Sequence, residues 1–410
     1  MRIVRDSLSR PEPAADVAEQ VAEILENVRR GGDEAVRAYT ERFDHAEVAP
    51  DRLRVDDREL ESSFGVLEPG VLAGLRIAIA NVRAVVKAQL GDTVAVDLPQ
   101  GQHVEVADIP VGRVGVYAPA GRACYPSTVV MCAATARAAG VRQIAVCAPP
   151  GPHGQAHPVV LAACVLCGVT EVYRMGGAQA IAALAYGTES IAPVDVITGP
   201  GNPYVQEAKR QVVGKVGIDG IAGPSELIVL ASDGADPELI ALDVLAQAEH
   251  GPDSFVAVIS PLPALLKAVE DAVQGLASQR PSVTDAALHL TRANDIRHGL
   301  SLAEQVAPEH LELVGSDAEA VAESVRNAGC LYVGEAGATA FGDYVAGTNH
   351  VLPTGGAARF QSALSAATFR RRMARVTFPG DSAARLAPAG AAIARAEGFP
   401  VHAESMQRRA

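Results

Sequence analysis

The residues of this sequence best suited to chemistry are histidines with a carboxylate or an amide nearby in the chain. Gln247 and His250 lie three residues apart in the last turn of a predicted helix, on one face. Such a pair can hold a metal ion, although the helix dipole also favours a histidine at a helix C-terminus. Glu309 and His310 stand at a predicted helix-to-strand junction. There a carboxylate could position water and an imidazole could accept a proton near neutral pH, although charged pairs at element ends are often only solvated.

A second group of candidates lies toward the C-terminus. Residues 342–350 are rich in glycine and polar side chains, and they include Asp343 and His350. This segment is either a ligand-binding loop or a long turn capped by its own Asx hydrogen bonds. Farther on, Glu397 and His402 are five residues apart in a short tail. Zn²⁺ accepts sets of nitrogen and oxygen donors, but residues so distant in sequence cannot be assigned to one site by spacing. The candidate set is Gln247, His250, Asp343 and His402.

The elements that must position these residues alternate along the chain. Residues 16–90 show helical periodicity, and short Val/Ile-rich runs then alternate with helical patterns, most of them ending in glycine or proline. Strand, glycine turn and helix in repetition predict an α/β fold with a doubly wound parallel sheet. Eight strands are too many for one such half, so we expect two sheets. The predicted strands are residues 113–117, 143–147, 170–174, 195–198, 226–231, 255–260, 311–314 and 330–333.

The glycine-rich turns are candidate ligand-binding sites because ligands of doubly wound sheets bind at the carboxyl ends of the strands. The standard dinucleotide fingerprint is incomplete here. Residues 199–203 begin as Gly-x-Gly but place Pro203 where the helix should open, and the turn at residues 174–179 has the wrong spacing. Taken by themselves, these turns favour tight connections over NAD binding, which stays open as the less favoured reading.

Composition excludes several classes of protein. The formal net charge of −13 argues against a surface for nucleic acid or anionic membrane, which needs clustered Lys and Arg. The N-terminus lacks the apolar run of a signal peptide, so we expect a soluble, cytoplasmic protein with no membrane contact. Six cysteines in 410 residues do not form a disulfide framework. The single close pair, Cys164 and Cys167, is predicted to be a buried apolar helix face, not a redox or metal motif.

Several long motifs, in order, resemble histidinol dehydrogenases, and the resemblance covers nearly the whole chain. The matching stretches are residues 113–117, 176–188, 199–202, 222–226, 247–250, 307–312 and 342–353. The resemblance implies a homodimer that uses one Zn²⁺ per subunit and NAD to oxidise L-histidinol through the aldehyde to L-histidine, the last step of histidine biosynthesis. An active site shared between subunits is part of that implication.

The resemblance also implies roles for individual residues. Glu309 and His310 match the catalytic pair, and Tyr117, Gln179 and Asn202 match the NAD-binding positions. The implied zinc ligands are Gln247, His250, Asp343 and His402. The implied substrate contacts are Ser225, Gln247, His250, His310, Asp343, Glu397 and His402, with His350 as a further candidate. Glu397 and His402 would come from the partner subunit's tail.

The expected organisation is two Rossmann-like doubly wound domains with an N-terminal helical arm and a C-terminal tail that packs on the partner. The arm covers residues 1–24, and the tail covers residues 365–410. The first α/β domain is discontinuous, with residues 25–116 and 227–364, and carries the zinc and catalytic residues. The second, on the NAD side, covers residues 117–226.

Two alternatives remain at this stage. One is a paralogous zinc- and NAD-dependent dehydrogenase of another small alcohol, such as a sulfonated diol; the acidic Glu397 disfavours an anionic substrate. The other is a nucleotide- or metal-binding protein that has lost activity, which the intact Glu309 and His310 disfavour.

Overall fold

The computed structural model of the chain describes residues 1–11, 16–120, 123–151 and 153–410. Its described strands form a parallel sheet of six strands, a parallel sheet of five and an antiparallel sheet of three. The strands are β1 (Arg2–Arg5), β2 (Val94–Asp97), β3 (His103–Pro110), β4 (Arg113–Tyr117), β5 (Gln143–Ala148), β6 (Glu171–Arg174), β7 (Val196–Thr198), β8 (Gly217–Ile218), β9 (Glu226–Ala231), β10 (Phe255–Ser260), β11 (Ala287–Arg292), β12 (His310–Val314), β13 (Cys330–Val333) and β14 (Arg370–Thr377).

The helices fill the intervals between these strands. They are α1 (Ala18–Asp44), α2 (Asp57–Ser62), α3 (Pro69–Ala88), α4 (Pro126–Val129), α5 (Thr135–Ala138), α6 (Pro158–Leu166), α7 (Gly177–Tyr186), α8 (Pro203–Val212), α9 (Pro237–Ala248), α10 (Pro263–Ala277), α11 (Ile296–Val306), α12 (Ser316–Glu319), α13 (Thr339–Tyr344), α14 (Ser382–Ala396) and α15 (Pro400–Gln407). A π-helical turn, Val130–Ala134, joins α4 to α5. As the sequence predicts, Asp236 caps α9 by accepting a hydrogen bond from the Glu238 N–H at 2.8 Å, and a proline occupies the first turn.

The five-stranded sheet has the order β6-β5-β4-β7-β8 and is covered on both faces. One face packs against α3, α6 and the α4–α5 helix, and the other against α1, α7 and α8. Its strands are almost continuously apolar because both faces are buried, as is typical of parallel sheets. The chain changes winding direction between β4 and β7, which creates a crevice at their carboxyl ends.

The six-stranded sheet has the order β1-β11-β10-β9-β12-β13. Helices α9 and α10 cover one face, and α11 and α12 cover the other. Here the winding direction changes between β9 and β12, which are hydrogen-bonded neighbours, with His310 opposite Leu227. The doubly wound parallel architecture predicted from the sequence is therefore present in both sheets.

All eight strands predicted from the sequence are confirmed, with ends shifted by at most one residue at 143–147, 170–174, 195–198 and 311–314. The N-terminal segment differs from the predicted helical arm. Arg2–Arg5 form an edge strand paired with β11, and α1 begins only at Ala18. Residues 12–15 of the predicted arm lie outside the described residues. Only two of the four residues of β1 are apolar, so it lacks the Val/Ile-rich run that identified the other strands.

Contacts of the first three helices also differ from the domain prediction. The sequence groups residues 25–116 with the catalytic sheet, whereas α1, α2 and α3 bury their apolar faces against the five-stranded sheet. Arg174, fully buried at the end of β6, donates to the Arg54 carbonyl at 3.1 Å and fastens this region. Periodicity shows which side of a helix is apolar, but not which sheet covers it.

Among the described residues, α3 is long and apolar enough to cross a membrane by length and composition alone. A buried core helix can have the same length and composition. In this structure one side of α3, including Ile79 and Val82, packs into the core, and the Asn81 amide donates to the Val345 carbonyl at 2.8 Å. We therefore interpret α3 as a packing helix of the five-stranded domain.

The C-terminal residues form elements of their own. Strand β14 pairs antiparallel with β3 over eight residues, and α14 and α15 pack on each other through Ala391, Ala394 and Ala403. Cys164 and Cys167 are both buried and free, as predicted, and burial raises the pKa of Cys167 to about 12. This pair is therefore part of the apolar core.

Candidate functional site

Two buried carboxylates define the amino edge of the six-stranded sheet. Glu226 begins β9, and Glu309 immediately precedes β12 on the neighbouring strand. The Glu226 N–H donates to Glu309 Oε2 at 2.8 Å, and the Glu309 N–H donates to Glu226 Oε2 at 3.2 Å. At this edge the first amide of each strand has no partner in the ladder, so each side chain satisfies the other residue's free amide. Burial raises the pKa of Glu309 to about 7. The positive charge of His310 and the hydrogen bond from the Glu226 amide act in the opposite direction but are smaller.

His310 is held in one ring orientation by the same edge. Its Nδ1 donates to the Glu226 carbonyl at 2.9 Å, because a carbonyl can only accept. The other ring nitrogen, Nε2, is buried without a hydrogen-bond partner and lies 3.7 Å from Asp343 Oδ1. Burial lowers the pKa of His310, but Glu309 and Asp343 outweigh it and raise the pKa to about 9. The free proton-exchanging atom of His310 therefore points into the site.

Asp343 and His350 are brought together by the short helix α13 and the turn after it. The predicted loop at residues 342–350 is thus helical at its start, with Asp343 on α13. His350 Nδ1 donates to the Asp343 carbonyl at 2.9 Å, and its Nε2 lies 3.3 Å from Thr128 Oγ1 on α4. Burial raises the pKa of Asp343, but the nearby charge of His310, followed by the charges of His350 and His250, lowers it overall. His350 therefore connects the catalytic side to the five-stranded domain.

Gln247 and His250 reach the same edge because α9 runs antiparallel to β9. Gln247 is buried, and its Nε2 has no hydrogen-bond partner. Partial burial lowers the pKa of His250. The negative charge of Asp343 opposes this shift, and the positive charge of His310 adds to it. Within residues 1–11, 16–120, 123–151 and 153–410, no group of three or more His, Cys, Asp or Glu is arranged to hold a metal. Gln247, His250 and Asp343 therefore bring an amide, an imidazole and a carboxylate to this edge.

The remaining predicted ligands lie elsewhere in this chain. Glu397 and His402 are exposed on the C-terminal helices, and the His402 ring packs on Phe399 with centroids 5.3 Å apart. In the part of the chain that the structure describes, no hydrogen bond or ion pair joins either residue to His250 or Asp343. Ser225 lies next to the site, half-buried before β9, where its carbonyl accepts from the Phe255 N–H at 3.0 Å.

The three residues predicted to bind NAD lie at the carboxyl edge of the five-stranded sheet. Tyr117 ends β4, and its hydroxyl accepts a hydrogen bond from the Gly177 N–H at 3.1 Å, where α7 begins. Gln179, in the first turn of α7, is buried, and neither Oε1 nor Nε2 has a partner. An unpartnered buried amide at a helix N-terminus is a group able to bind a polar ligand.

Asn202 and the preceding glycines complete this edge. Helix α8 does open at Pro203, and the Asn202 side chain caps it by accepting from the Val205 N–H at 3.1 Å. Gly199 has φ of +119°, and an added Cβ there would lie 2.1 Å from the Tyr117 carbonyl oxygen. The turn after β7 therefore approaches β4 closely at the crevice where the winding direction changes.

The position of the catalytic pair corrects one expectation. We expected ligand-binding residues at the carboxyl ends of the strands. The residues predicted to bind NAD do lie at such an end, but Glu309 and His310 lie at the amino end of β12. Helix α9 returns Gln247 and His250 to that same end. The carboxyl-edge rule concerns helix N-termini that attract anions, and it does not apply to a cluster built from side chains.

Sequence reasoning missed three polar residues of this region. Glu226 and Glu312 are buried in apolar strands, and a charge inside such a run is the signal that could have revealed them. Glu312 accepts from the Thr339 N–H at 3.0 Å, at the start of α13, and burial followed by the charge of Asp243 raises the pKa of Glu312 to about 8. Arg10 comes from the N-terminal segment and had no signal in the sequence pattern.

The chain as a whole is similar to a set of known proteins. Residues 8–410 match the family model described as histidinol dehydrogenase. The chain is 42% identical to histidinol dehydrogenase 2 of a Nostoc species over 95% of its length and 91% of that protein. It is also 42% identical to the histidinol dehydrogenase of Rhodospirillum rubrum, over 97% of this chain and 93% of that one. The crystal structure of histidinol dehydrogenase from Elizabethkingia anophelis matches with a TM-score of 0.93 at 29% identity, covering 100% of this chain and 98% of that one.

Proposed function

This chain belongs to the histidinol dehydrogenase family, which oxidises histidinol in histidine biosynthesis. On that premise we propose that it converts L-histidinol to L-histidine in two successive oxidations, with two NAD⁺ as hydride acceptors and one Zn²⁺ per active site. The first oxidation gives L-histidinaldehyde, and water then adds to the aldehyde before the second hydride leaves. The observation that carries the proposal is the buried Glu309–His310 pair, with its free imidazole nitrogen beside Asp343.

His310 is proposed to remove the proton of the substrate hydroxyl. Its Nδ1 is committed to the Glu226 carbonyl, so Nε2 is the atom that exchanges protons with a ligand. Because the pKa of His310 is raised to about 9, its Nε2 proton must leave before the ring acts as the base. A base whose orientation is set before binding loses little entropy when the reaction begins. NAD, when bound, would supply the hydride acceptor while Nε2 takes the proton of the substrate hydroxyl.

Glu309 is proposed to activate water in the second half of the reaction. One of its oxygens is held by the Glu226 N–H at 2.8 Å, which leaves the other oxygen free to accept a proton. A buried carboxylate is a stronger base than an exposed one because burial disfavours its charged form. Deprotonated water attacks the aldehyde carbon, and the resulting hydrate loses the second hydride to give the carboxylic acid.

The zinc candidates have the right chemistry for the metal. The buried Gln247 offers an amide oxygen, and His250 and Asp343 offer an imidazole and a carboxylate, all donors that Zn²⁺ accepts. These residues would hold the metal, which would supply a Lewis acid that positions the substrate. The exposed His402 is proposed as the fourth ligand, and Glu397 as the carboxylate that selects the cationic amino group, both supplied by the other subunit of a cytoplasmic homodimer.

NAD is proposed to bind at the carboxyl edge of the five-stranded sheet. Tyr117 and Gln179 would line the cofactor, and Asn202 would contact it from the opposite turn while capping α8. The N-termini of α7 and α8 both face this edge, and their dipoles favour the cofactor's phosphates. Ser225 and His350 would then contact the substrate between the two edges.

The test is the stoichiometry of the reaction. Zinc-loaded protein with excess NAD⁺ should form two NADH for each L-histidinol consumed, with histidine as the product. A single NADH with accumulation of aldehyde would remove the role of Glu309 in the second step. Turnover of a sulfonated diol in place of histidinol, with zinc content confirmed, would overturn the substrate assignment.

A further inference from the structure

Arg10 reaches the catalytic edge from the N-terminal segment. Its Nε donates to Glu226 Oε1 at 2.5 Å, its Nη2 donates to Glu226 Oε2 at 3.1 Å, and the same Nη2 donates to the Val306 carbonyl at 2.7 Å. The Arg10 side chain is 29% exposed, whereas that of Glu226 is 3% exposed. This is a two-point pairing in which a half-buried guanidinium covers a carboxylate that has no other cationic partner among the described residues.

Glu226 passes this restraint to the catalytic pair by three hydrogen bonds. Its Oε2 accepts the Glu309 N–H at 3.2 Å, its own N–H holds Glu309 Oε2 at 2.8 Å, and its carbonyl accepts from His310 Nδ1 at 2.9 Å. Glu226 Oε1 also accepts the Gly355 N–H at 3.1 Å. A shift of the Glu226 side chain would therefore move the Glu309 backbone and, through the strand, the His310 ring.

We infer that Arg10 is a positioning residue for the Glu309–His310 pair and acts on it through Glu226. Two carboxylates lie at one buried edge, where His310 lies beside Glu309 and Arg10 supplies the cation that pairs with Glu226. Arginine suits this task because its planar group grips both carboxylate oxygens, which a lysine ammonium cannot do. The N-terminal segment thereby becomes part of the active site, although none of its residues need touch substrate. This inference rests on the proposed function of Glu309 and His310.

A plain structural role for Arg10 makes a different prediction, and the chain offers a matched control. Arg5, five residues earlier on the same segment, pairs with Glu270 at 2.6 Å, and Glu270 lies on α10, outside the catalytic cluster. If these arginines only fasten the segment to the six-stranded sheet, their removal should have similar consequences. If Arg10 positions the catalytic pair, only its removal should slow the chemical step.

The experiment compares Arg10→Ala, Arg10→Lys and Arg5→Ala in the zinc-loaded full-length protein, with kcat and both KM values measured for L-histidinol and NAD⁺. We expect Arg10→Ala to lower kcat by about 10- to 100-fold, the loss expected when catalytic groups are misplaced by about 1 Å. The KM for NAD⁺ should stay within about twofold, because the cofactor edge belongs to the other sheet. The kcat of Arg10→Lys should lie between those of Arg10→Ala and the unsubstituted protein. Low millimolar guanidinium should restore part of the kcat of Arg10→Ala, and it should not restore any kcat that Arg5→Ala has lost.

The outcomes separate this inference from the proposed function. If the unsubstituted protein does not oxidise histidinol, the proposed function fails and the role of Arg10 falls with it. If that protein is active and Arg10→Ala keeps a kcat within twofold of Arg5→Ala, the inference alone is overturned. A kcat that drops only in proportion to the folded fraction, measured by circular dichroism for both Arg10 variants, also overturns it.

Discussion

The two parallel sheets present opposite edges to the candidate site. The six-stranded sheet offers its amino edge, where buried Glu226 and Glu309 satisfy the first strand amides. The five-stranded sheet offers its carboxyl edge, where Tyr117 and the unpartnered Gln179 lie beside the N-terminus of α7. Both edges belong to the same kind of doubly wound architecture. One edge concentrates carboxylates and histidines, whereas the other carries amides, hydroxyls, backbone groups and the buried Lys209–Asp219 ion pair.

The physical reason for this difference is the direction of the helices and free backbone groups at each edge. An amino edge exposes N–H groups and the C-terminal ends of helices, so carboxylates and histidines are stabilised there. A carboxyl edge exposes helix N-termini and glycine turns, which suit the phosphates of a dinucleotide. The comparison teaches that two similar sheets can present different groups, buried carboxylates and histidines at one edge and helix N-termini at the other.

The largest effect should come from removing the metal at the amino edge. Dialysis against a chelator should reduce histidinol oxidation to background, because the substrate would no longer be fixed beside His310. Adding back Zn²⁺ should restore activity, with bound metal measured by atomic absorption. Full activity of metal-free protein would mean that Gln247, His250 and Asp343 do not form a zinc site.

Loss of the proton acceptor should be the next largest effect. His310→Asn should lower kcat by about 10² to 10⁴, the usual contribution of a positioned acid–base group. An asparagine side chain can still donate to the Glu226 carbonyl, so the neighbouring carboxylates should stay in place. Zinc content equal to the unsubstituted protein would serve as the control, and a kcat within threefold would contradict the assignment.

A substitution at the carboxyl edge should weaken NAD⁺ binding and leave the rate of the chemical step unchanged. Gln179→Ala should raise the KM for NAD⁺ by up to about 10-fold, the worth of one hydrogen bond, with kcat for histidinol nearly unchanged. Gln211→Ala is a matched control, since this amide on α8 donates to the Ala18 carbonyl at 2.9 Å. A drop in kcat without a change in the KM for NAD⁺ would contradict the proposal that the carboxyl edge binds the cofactor and the amino edge carries the catalytic groups.

The smallest effect concerns a carboxylate that stands apart at the carboxyl edge. Asp44 lies against the Gly176 turn with Oδ2 buried and unpartnered, and burial, opposed by the charge of His45, raises the pKa of Asp44 to about 6. The folded state therefore keeps a proton that the unfolded chain releases near pH 4, and this stabilisation is lost as the pH rises through 6.

Asp44→Asn removes the ionisation, so its Tm advantage over the unsubstituted protein should grow between about pH 4 and pH 6 and then level off. We expect a gain of a few degrees, at about 2–4 °C per kcal/mol for a large domain. Thermal melts followed by circular dichroism across this range would measure it, with the exposed Asp51→Asn as control. A Tm difference independent of pH would show that Asp44 is not penalised by its burial.

The sequence allowed much of the fold to be predicted, for identifiable reasons. Strands such as β9 and β10 are buried on both faces, so their apolar runs are unmistakable, and α9 carries its start signal in Asp236 and Pro237. Strand β1 was missed because arginines flank only two apolar residues, and β8 was missed because it has only two residues. Strand β3 was missed as well, since its eight residues are all half-buried and its polar side chains hide the alternation.

The candidate site was predictable only in part. Glu309, His310 and Asp343 were recognised from long motifs, and the structure brings these three together. His402 and Glu397 stay apart from them in a single chain, so their proposed roles depend on a second subunit. Glu226 and Arg10 escaped notice because neither lies in a spacing that suggests chemistry, and their contact joins residues 216 positions apart.

The sequence by itself determined the alternation of strands and helices, the family and the residues able to do chemistry, because these follow from local periodicity and motifs. Only the tertiary structure decided which edge of each sheet carries them. Edge choice depends on the direction in which α9 returns and on the pairing of β9 with β12, and both are long-range contacts that no local pattern encodes. The same contacts place Arg10, Glu226 and Glu309 within hydrogen-bonding distance and so set the charge balance of the site.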